Sequence, residues 1–265
     1  MSIVILVGGT TSNGNAEHRY LVNAFLNAFG DQVDAIVTCD PQPSPLLTRL
    51  KRAVKRGNYR ERIARARWGK GYGPDGDLLS KALFGDAPVE QMPGGDKLHV
   101  MSSHNSAECE ALMDKLKPEV IVVYGTAILK AHIFTKAKQV CLNMHTGLSP
   151  HYRGDSTLFW PVYYNDPEHL GVTVHKLVAD VDGGDIVYTG KVEYERGDGE
   201  AELFAKGVKV GTDLYLKAVN DVFDGSIVYH PQDLSTGREF RWIHRTVEAE
   251  KTVLENFERW AQKGS

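Results

Sequence analysis

The chain has 265 residues, a formal net charge of −3, 42% hydrophobic residues and 25% charged residues. This length and composition predict a soluble globular protein with one large domain, or one domain with a small appendage, whose core needs no disulfide support. No apolar run reaches the roughly 20 residues of a membrane-spanning helix, and the N-terminus lacks the basic leader of a signal peptide. We therefore expect a cytoplasmic protein without a membrane partner. The three scattered cysteines are interpreted as buried thiols and not as metal ligands.

The first predicted elements form a βαβ unit. Residues 3–7 are aliphatic, as in a central parallel strand, residues 17–29 have the apolar spacing of a helix, and residues 33–38 predict a second strand. This order indicates an α/β fold with a doubly wound, mostly parallel sheet, which binds ligands at the carboxyl ends of its strands.

A loop of small residues, 8–14, joins the first strand to the helix. It lacks the Gly-Lys-Ser/Thr end of Walker-type loops and the Gly-x-Gly-x-x-Gly of dinucleotide-binding folds. Backbone N–H groups and hydroxyls at a helix N-terminus suit an anion such as a phosphate, although a tight turn without a ligand remains the alternative. The predicted substrate-binding residues of this loop are Gly9, Thr10, Thr11, Ser12 and Asn13.

Residues 41–100 form a long, charged and glycine-rich insertion, which we expect to be surface-exposed and partly mobile. Its segment 49–70 carries ten Lys or Arg residues and a single acid. A basic helix or helix pair over residues 45–70 could be a solvated helix face, a clamp for substrate phosphates or an RNA contact. Trp68 and Tyr72 could stack on a nucleobase or anchor a loop.

Regular structure resumes near residue 98. The pattern predicts a strand at 98–100, a helix at 106–117, a strand at 120–124, a strand leading to residue 143, a helix at 157–164, strands at 171–176 and 185–192, a helix at 200–222 and a charged helix ending near residue 261.

Two polar motifs follow predicted strands. Asn143 and His145 are two residues apart in a strand, so both side chains should point to the same face. Asp182 precedes two glycines, which let the backbone approach a ligand closely. An amide, an imidazole and a carboxylate that converge can move a proton and hold a developing oxyanion. A zinc site of His145, His151, His175 and Asp182 is the rival interpretation, but the close paired spacing of zinc motifs is missing and we predict no metal.

These motifs resemble those of the folate-dependent formyltransferase family, whose pattern is Asn-x-His, a Ser-Leu-Leu-Pro-x-x-x-Gly-like loop and a downstream Asp-x-Gly. Here the loop is residues 147–154, with Ser149 where the family usually has leucine, and the stretch between the motifs is one residue longer. Neither departure changes the three chemical groups. Residues 171–175 also match the family's strand before the aspartate loop.

The resemblance implies a Rossmann-like sheet of the formyltransferase type over residues 1–225, including the basic insertion, and a C-terminal extension over 226–265 that ends in a helix. It implies that Asn143, His145 and Asp182 are catalytic and that N10-formyltetrahydrofolate is the co-substrate. Asn143 would donate to the oxyanion. His145 would be a second donor or accept the proton of the amine, and Asp182 would orient the imidazole or relay the proton.

The resemblance also implies binding residues. The turn after strand 120–124 lines the pterin pocket in the family, and Arg153 is expected on the acceptor side. The predicted folate-binding residues are Tyr124, Gly125, Thr126, Ile128, Leu129, Val181 and Gly183.

The implied reaction is transfer of a formyl group to the primary amine of a small phosphate- or nucleotide-linked acceptor. A nucleotide-activated amino sugar, as in lipopolysaccharide biosynthesis, is our first expectation, because residues 146–154 are more similar to the sugar-modifying branch. Glycinamide ribonucleotide formyltransferase and formyltetrahydrofolate hydrolase are the alternatives, although the hydrolase usually has an additional N-terminal domain. The tail is too short for the barrel of tRNA-acting members, so no nucleic acid partner is expected. The tail helix is a candidate homodimer interface.

Overall fold

The computed structural model describes residues 1–8, 16–40, 59–87 and 91–263. Its strands are β1 (Ile3–Val7), β2 (Val33–Cys39), β3 (Leu98–Met101), β4 (Val120–Tyr124), β5 (Val140–His145), β6 (Tyr152–Gly154), β7 (Gly171–Lys176), β8 (Ile186–Lys191) and β9 (Arg238–Phe240). Its α-helices are α1 (Ala16–Phe29), α2 (Tyr59–Trp68), α3 (Gly76–Phe84), α4 (Ala107–Leu116), α5 (Ala131–Phe134), α6 (Phe159–Tyr163), α7 (Glu200–Asp224) and α8 (Val247–Lys263). Within these ranges, no helix is both long enough and apolar enough to cross a membrane.

Seven strands form one sheet in the order β3-β2-β1-β4-β5-β7-β8. The strands from β3 to β5 are parallel, whereas β7 runs antiparallel to both β5 and β8. The chain order reverses between β1 and β4, which is the switch point where such folds bind ligands. The predicted α/β, doubly wound and mostly parallel sheet is confirmed.

The core lies on both faces of the sheet because each central strand is apolar on both sides. Ile3 and Ile5 of β1 pack in one cluster with residues of α1 and α7, and Val4 and Leu6 pack in the other with α4. All four side chains are fully buried. Two of the cysteines are buried thiols as expected, and the third, Cys39, is partly exposed.

The described part of the insertion is more ordered and more buried than the sequence predicts. α3 was not predicted, yet Asp75 caps its first turn and Leu79 and Leu83 are buried in the core cluster with α1 and α7. The expectation of a surface-exposed insertion is therefore wrong for this helix. In α2, Arg65 is only 7% exposed, so this part of the basic run is not a solvated face.

The chain after α7 packs back against β6, α6 and β8. β9 lies parallel to β6 and pairs Phe240 with Gly154. The Phe240 ring stacks on Trp160, with centroids 4.4 Å apart and planes 13° from parallel. His230 forms an isolated bridge with Ile186 beside β8. This segment thus borders the loops that follow β5 and β7.

Candidate active site

Two loops at the carboxyl end of β5 and beyond β7 bring the predicted catalytic side chains together. Asn143 and His145 lie on one face of β5, while Leu142 and Met144, at the alternate positions, point into the core. Asp182 follows β7 in the left-handed backbone region, at φ 47°. The next turn is tight, because a Cβ on Gly184 would stand 1.8 Å from the Lys176 carbonyl oxygen.

The Asp182 carboxylate is at the centre of the site. Its Oδ2 accepts the Gly154 backbone N–H at 2.8 Å and lies 3.3 Å from His145 Nδ1. Its Oδ1 lies 3.5 Å from both Asn143 Nδ2 and His175 Nε2. Burial alone would raise the pKa of Asp182, but the neighbouring His145 imidazole and the Gly154 backbone N–H hold it well below its usual range. The group is therefore a carboxylate at neutral pH.

His145 has an oxygen acceptor at each ring nitrogen. Nε2 donates to the Tyr152 carbonyl oxygen at 2.9 Å, and Nδ1 faces Asp182. Both contacts are satisfied only when both nitrogens carry a proton, so the geometry suits an imidazolium ion. Gly147 leaves the room for the ring, because a Cβ there would stand 2.5 Å from His145 Nε2 and 2.4 Å from Thr157 Cβ.

Asn143 is oriented by His175, which is 1% exposed. His175 Nδ1 faces the Lys176 carbonyl oxygen at 2.9 Å and donates to it, which leaves Nε2 to accept from Asn143 Nδ2 at 3.1 Å. The neighbouring Asp182 oxygen can only accept, so the amide nitrogen, and not the amide oxygen, belongs on this side. Among the described residues, the second amide hydrogen has one contact, a long one of 3.5 Å to Asp182 Oδ1.

Several groups of the site were not predicted from the sequence. The Tyr152 carbonyl and the Gly154 N–H are backbone groups, for which a sequence carries no signal. Gln232, from the C-terminal segment, donates to the Asp182 carbonyl oxygen at 3.0 Å and also to that of Gly184. The sequence names His175 as a possible zinc ligand. Its role in orienting Asn143 could have been predicted as well, since it precedes Asp182 in the strand that leads to the loop.

A cavity of about 1130 Å³ includes Asn143, His145 and Asp182 in its wall. The predicted folate-binding residues that line it are Tyr124, Gly125, Thr126, Ile128, Leu129 and Val181. Gly183 is not among the described lining residues. Ile128 is 79% exposed, whereas Tyr124 is 4% exposed and packs against His18 with ring centroids 5.2 Å apart. The turn after β4 and the loop at 178–182 thus form two walls of one cavity, which suits a flat ring system.

Of the predicted acceptor residues, Arg153 lies within the described ranges. Residues 9–13 lie outside the described ranges. Arg153 is not among the described residues that line the cavity, but its Nη1 lies 3.4 Å from the Val181 carbonyl oxygen. Of the four residues of the rival zinc site, His145 and His175 both contact Asp182. His151 packs instead against His169, at a centroid distance of 4.3 Å. Within the described ranges, no three His, Cys, Asp or Glu side chains are grouped to hold a metal ion.

The family model described as formyl transferase matches residues 75–219. A methionyl-tRNA formyltransferase of Lachnospira eligens is 30% identical over 145 residues, which are 53% of this chain and 45% of that protein. The chain spans about half the length of the curated relatives that it matches.

Solved structures share the fold at low identity. A sugar N-formyltransferase from a Shewanella species has a TM-score of 0.58 and 14% identity, covering 97% of this chain and 88% of that one. An N-formyltransferase from Helicobacter canadensis, solved with folinic acid and dTDP-3-aminofucose, has a TM-score of 0.57 and 16% identity, covering 91% and 71%.

Proposed function

Because this chain belongs to the formyl transferase family, we propose that it transfers a formyl group from N10-formyltetrahydrofolate to the primary amine of a small acceptor. The observation that carries this proposal is the convergence of Asn143, His145 and Asp182 on one cavity. Folate supplies the formyl group, and the protein supplies donors, charge and orientation.

Asn143 is the donor for the oxygen that gains negative charge as the amine adds to the formyl carbon. His175 fixes the amide with its nitrogen towards the catalytic carboxylate, and one amide hydrogen has only the 3.5 Å contact to Asp182. A preorganised donor of this kind lowers the barrier by about 3 kcal/mol. This residue should therefore affect kcat more than KM.

His145 and Asp182 act as a charged pair beside the reacting carbon. The imidazolium adds positive charge near the developing oxyanion, and its contact with the Tyr152 carbonyl at 2.9 Å keeps the ring in place. Asp182 is a carboxylate and can accept a proton from the attacking amine or pass it to the departing folate nitrogen. Gly154 and Gln232 hold this carboxylate and its loop in position.

The folate ring system is proposed to bind between the turn after β4 and the loop that carries Asp182. Both segments line the cavity, and the exposed Ile128 offers an apolar surface. The related fold of the Helicobacter protein, whose structure contains folinic acid, is consistent with a folate ligand but shows the fold alone.

The acceptor is proposed to be a nucleotide-activated amino sugar, formed into a formamido sugar in the cytoplasm for lipopolysaccharide biosynthesis. The motif at 146–154 and the sugar N-formyltransferases among the structural neighbours support this choice. A methionyl-tRNA acceptor is the second candidate, because curated relatives are methionyl-tRNA formyltransferases. We assign catalysis to residues 1–225 and treat 226–265 as an extension that supports the site.

The test measures conversion of N10-formyltetrahydrofolate to tetrahydrofolate with a panel of amines. The panel holds nucleotide-linked 3- and 4-amino sugars, the same sugars without a nucleotide, glycinamide ribonucleotide, methionyl-tRNA and no acceptor. His145→Ala should lose roughly 100-fold or more in kcat. His169→Ala is the matched control, because His169 also pairs with a carboxylate, Asp166 at 2.8 Å, but is not among the described lining residues.

Turnover that requires an amine and His145 supports the transferase. Turnover without any amine would instead identify a hydrolase. Formylation of methionyl-tRNA or glycinamide ribonucleotide, with no activity on sugars, would overturn the sugar assignment and leave the reaction class intact. No turnover with any acceptor by a protein that is folded would contradict the proposed activity.

A further inference from the structure

A further part of the cavity wall comes from segments that the catalytic motif does not include. Gly73 and Pro74 of the insertion line the cavity, as do Arg241, Trp242 and Ile243 of the C-terminal extension. Trp242 is 36% exposed and Ile243 is 47% exposed. Exposed apolar side chains grouped at the edge of a cavity indicate a surface that a ligand covers.

Trp242 in this wall packs against the ring of Tyr72, and we call these two rings the aromatic shelf. Their centroids are 5.7 Å apart and their planes meet at 84°. The Arg65 guanidinium lies 3.9 Å from the Tyr72 ring centroid. The Trp242 backbone N–H donates to Asp155 Oδ2 at 3.1 Å. The shelf is therefore held in place by both its side chains and its backbone.

A buried ionic cluster fixes the two segments that carry the shelf. Arg65 of α2 donates to Glu250 Oε1 at 3.1 Å and to the Arg245 carbonyl oxygen at 2.7 Å. Arg245, 2% exposed, donates to Glu250 at 2.8 Å and to Glu200 at 2.8 Å. Burying two guanidinium groups is costly unless each is paired, and such clusters can specify one arrangement of the chain. Here the arrangement places Tyr72 against Trp242.

The pairing of β6 with β9 also places the shelf near the predicted catalytic residues. Phe240 pairs with Gly154, whose N–H binds the Asp182 carboxylate, and Trp242 is two residues further along the chain. Consecutive Cα atoms are about 3.8 Å apart and paired strands about 4.8 Å, so the Cα atoms of Trp242 and Gly154 lie within roughly 12 Å. An acceptor that extends beyond its reacting amine can therefore contact the shelf while the amine lies at Asp182.

We propose that the aromatic shelf binds the nucleobase of the acceptor by stacking, with Arg241 contacting its phosphates. This inference rests on the proposed function and names the part of the cavity that recognises the nucleotide. Aromatic side chains stack on any base, and an exposed guanidinium attracts phosphate. The Arg241 side chain is 71% exposed, and its contact with Glu239 is 3.4 Å long. The family motif does not include these residues.

The test is calorimetric titration of the full chain with UDP, dTDP, inorganic pyrophosphate and a nucleoside. Trp242→Leu should weaken nucleoside diphosphate binding roughly 5- to 150-fold, and Trp242→Phe should retain most of it. Tyr229→Leu is the matched control, because Tyr229 belongs to the same extension and is 37% exposed, but is not among the described lining residues. Circular dichroism establishes that each variant is folded.

Equal binding by Trp242→Leu and the wild type would overturn the proposal, as would pyrophosphate binding as tightly as the nucleoside diphosphates. The titration contains no folate and no amine, so it does not depend on turnover. If nucleotides bind through Trp242 but no amine is formylated, the proposed activity fails and the base site stands. If an amino sugar without a nucleotide is formylated and no nucleotide binds, the activity stands and the base site falls.

Discussion

Replacing Arg245 with methionine should destabilise the whole chain and not only the extension. Arg245 is 2% exposed and its guanidinium has short contacts to both Glu250 and Glu200. Methionine fills a similar volume, so the main effect is two carboxylates left without their shared partner. Since α8 packs on α6 and α2, the loss is transmitted to the segments that surround the cavity.

The magnitude follows from how completely the carboxylates lose their partners. Breaking a buried ion pair costs about 3–5 kcal/mol in the free energy of unfolding. Glu250 keeps Arg65 at 3.1 Å, so the lower end, about 3 kcal/mol, applies here. A chain of this size should then lose about 10 °C in Tm.

The loss should also depend on pH. Burial already raises the pKa of Glu200, and Arg245 partly offsets this. Without Arg245 the pKa of Glu200 rises further, so the loss should be larger at pH 8 than at pH 5.

Urea unfolding followed by circular dichroism at pH 8 and pH 5 measures this effect. Arg241→Met is the matched control, because its side chain is 71% exposed and its contact with Glu239 is 3.4 Å, so its loss should be within about 0.5 kcal/mol. Arg245→Met combined with Glu200→Gln should recover part of the loss, because one orphaned charge is removed. A loss below about 1 kcal/mol, or a loss that does not change with pH, would refute the reasoning.

Three further predictions concern groups near the site. Gly147→Ala should reduce kcat strongly, because its Cβ would stand 2.5 Å from Nε2 of His145, the residue proposed to be catalytic, whereas Gly76→Ala has open space and should keep full activity. The lowered pKa of Asp182 adds stability above its unfolded value of about 4, which is lost as pH falls through the folded value. The gap in unfolding free energy between wild type and Asp182→Asn should therefore narrow from pH 5 to pH 2, and a constant gap would contradict this. Tyr215→Phe should cost roughly 1–3 kcal/mol in thermal or urea unfolding, because its hydroxyl bonds backbone of β4 and β5. Tyr194→Phe, whose buried hydroxyl has no hydrogen-bond partner among the residues that the structure describes, should cost nothing by the same measurement.

The central sheet was predictable because its strands are continuous aliphatic runs and α1 has a clear apolar face. α3 was missed because it follows a glycine-rich loop, although Asp75 and the spacing of Leu79 and Leu83 were a usable helix signal. The convergence of Asn143, His145 and Asp182 was predictable because their side-chain types and spacing form a recognisable motif. The backbone groups that hold these side chains, such as the Tyr152 carbonyl and the Gly154 N–H, could not be predicted, since backbone groups give no signal in a sequence.

The burial of Arg65 shows a different limit of sequence reasoning. The basic run is visible in the sequence, but nothing local distinguishes Arg65 from the other arginines of α2. Its partner, Glu250, lies 185 residues downstream. A charged residue is usually exposed, and only the tertiary fold decides which one is paired and buried.

The separation between Arg65 and Glu250 also has a consequence for the order of events during synthesis. The ribosome makes the chain from its N-terminus, so α2 emerges long before the carboxylate that neutralises it. β6 likewise pairs with a strand that is made much later, because Gly154 of β6 pairs with Phe240 of β9 and the strands and helix between them in sequence are made first. The central sheet can therefore form on the nascent chain while the cavity wall is incomplete. We therefore expect the proposed base site, which includes Trp242, to form after the last helix docks.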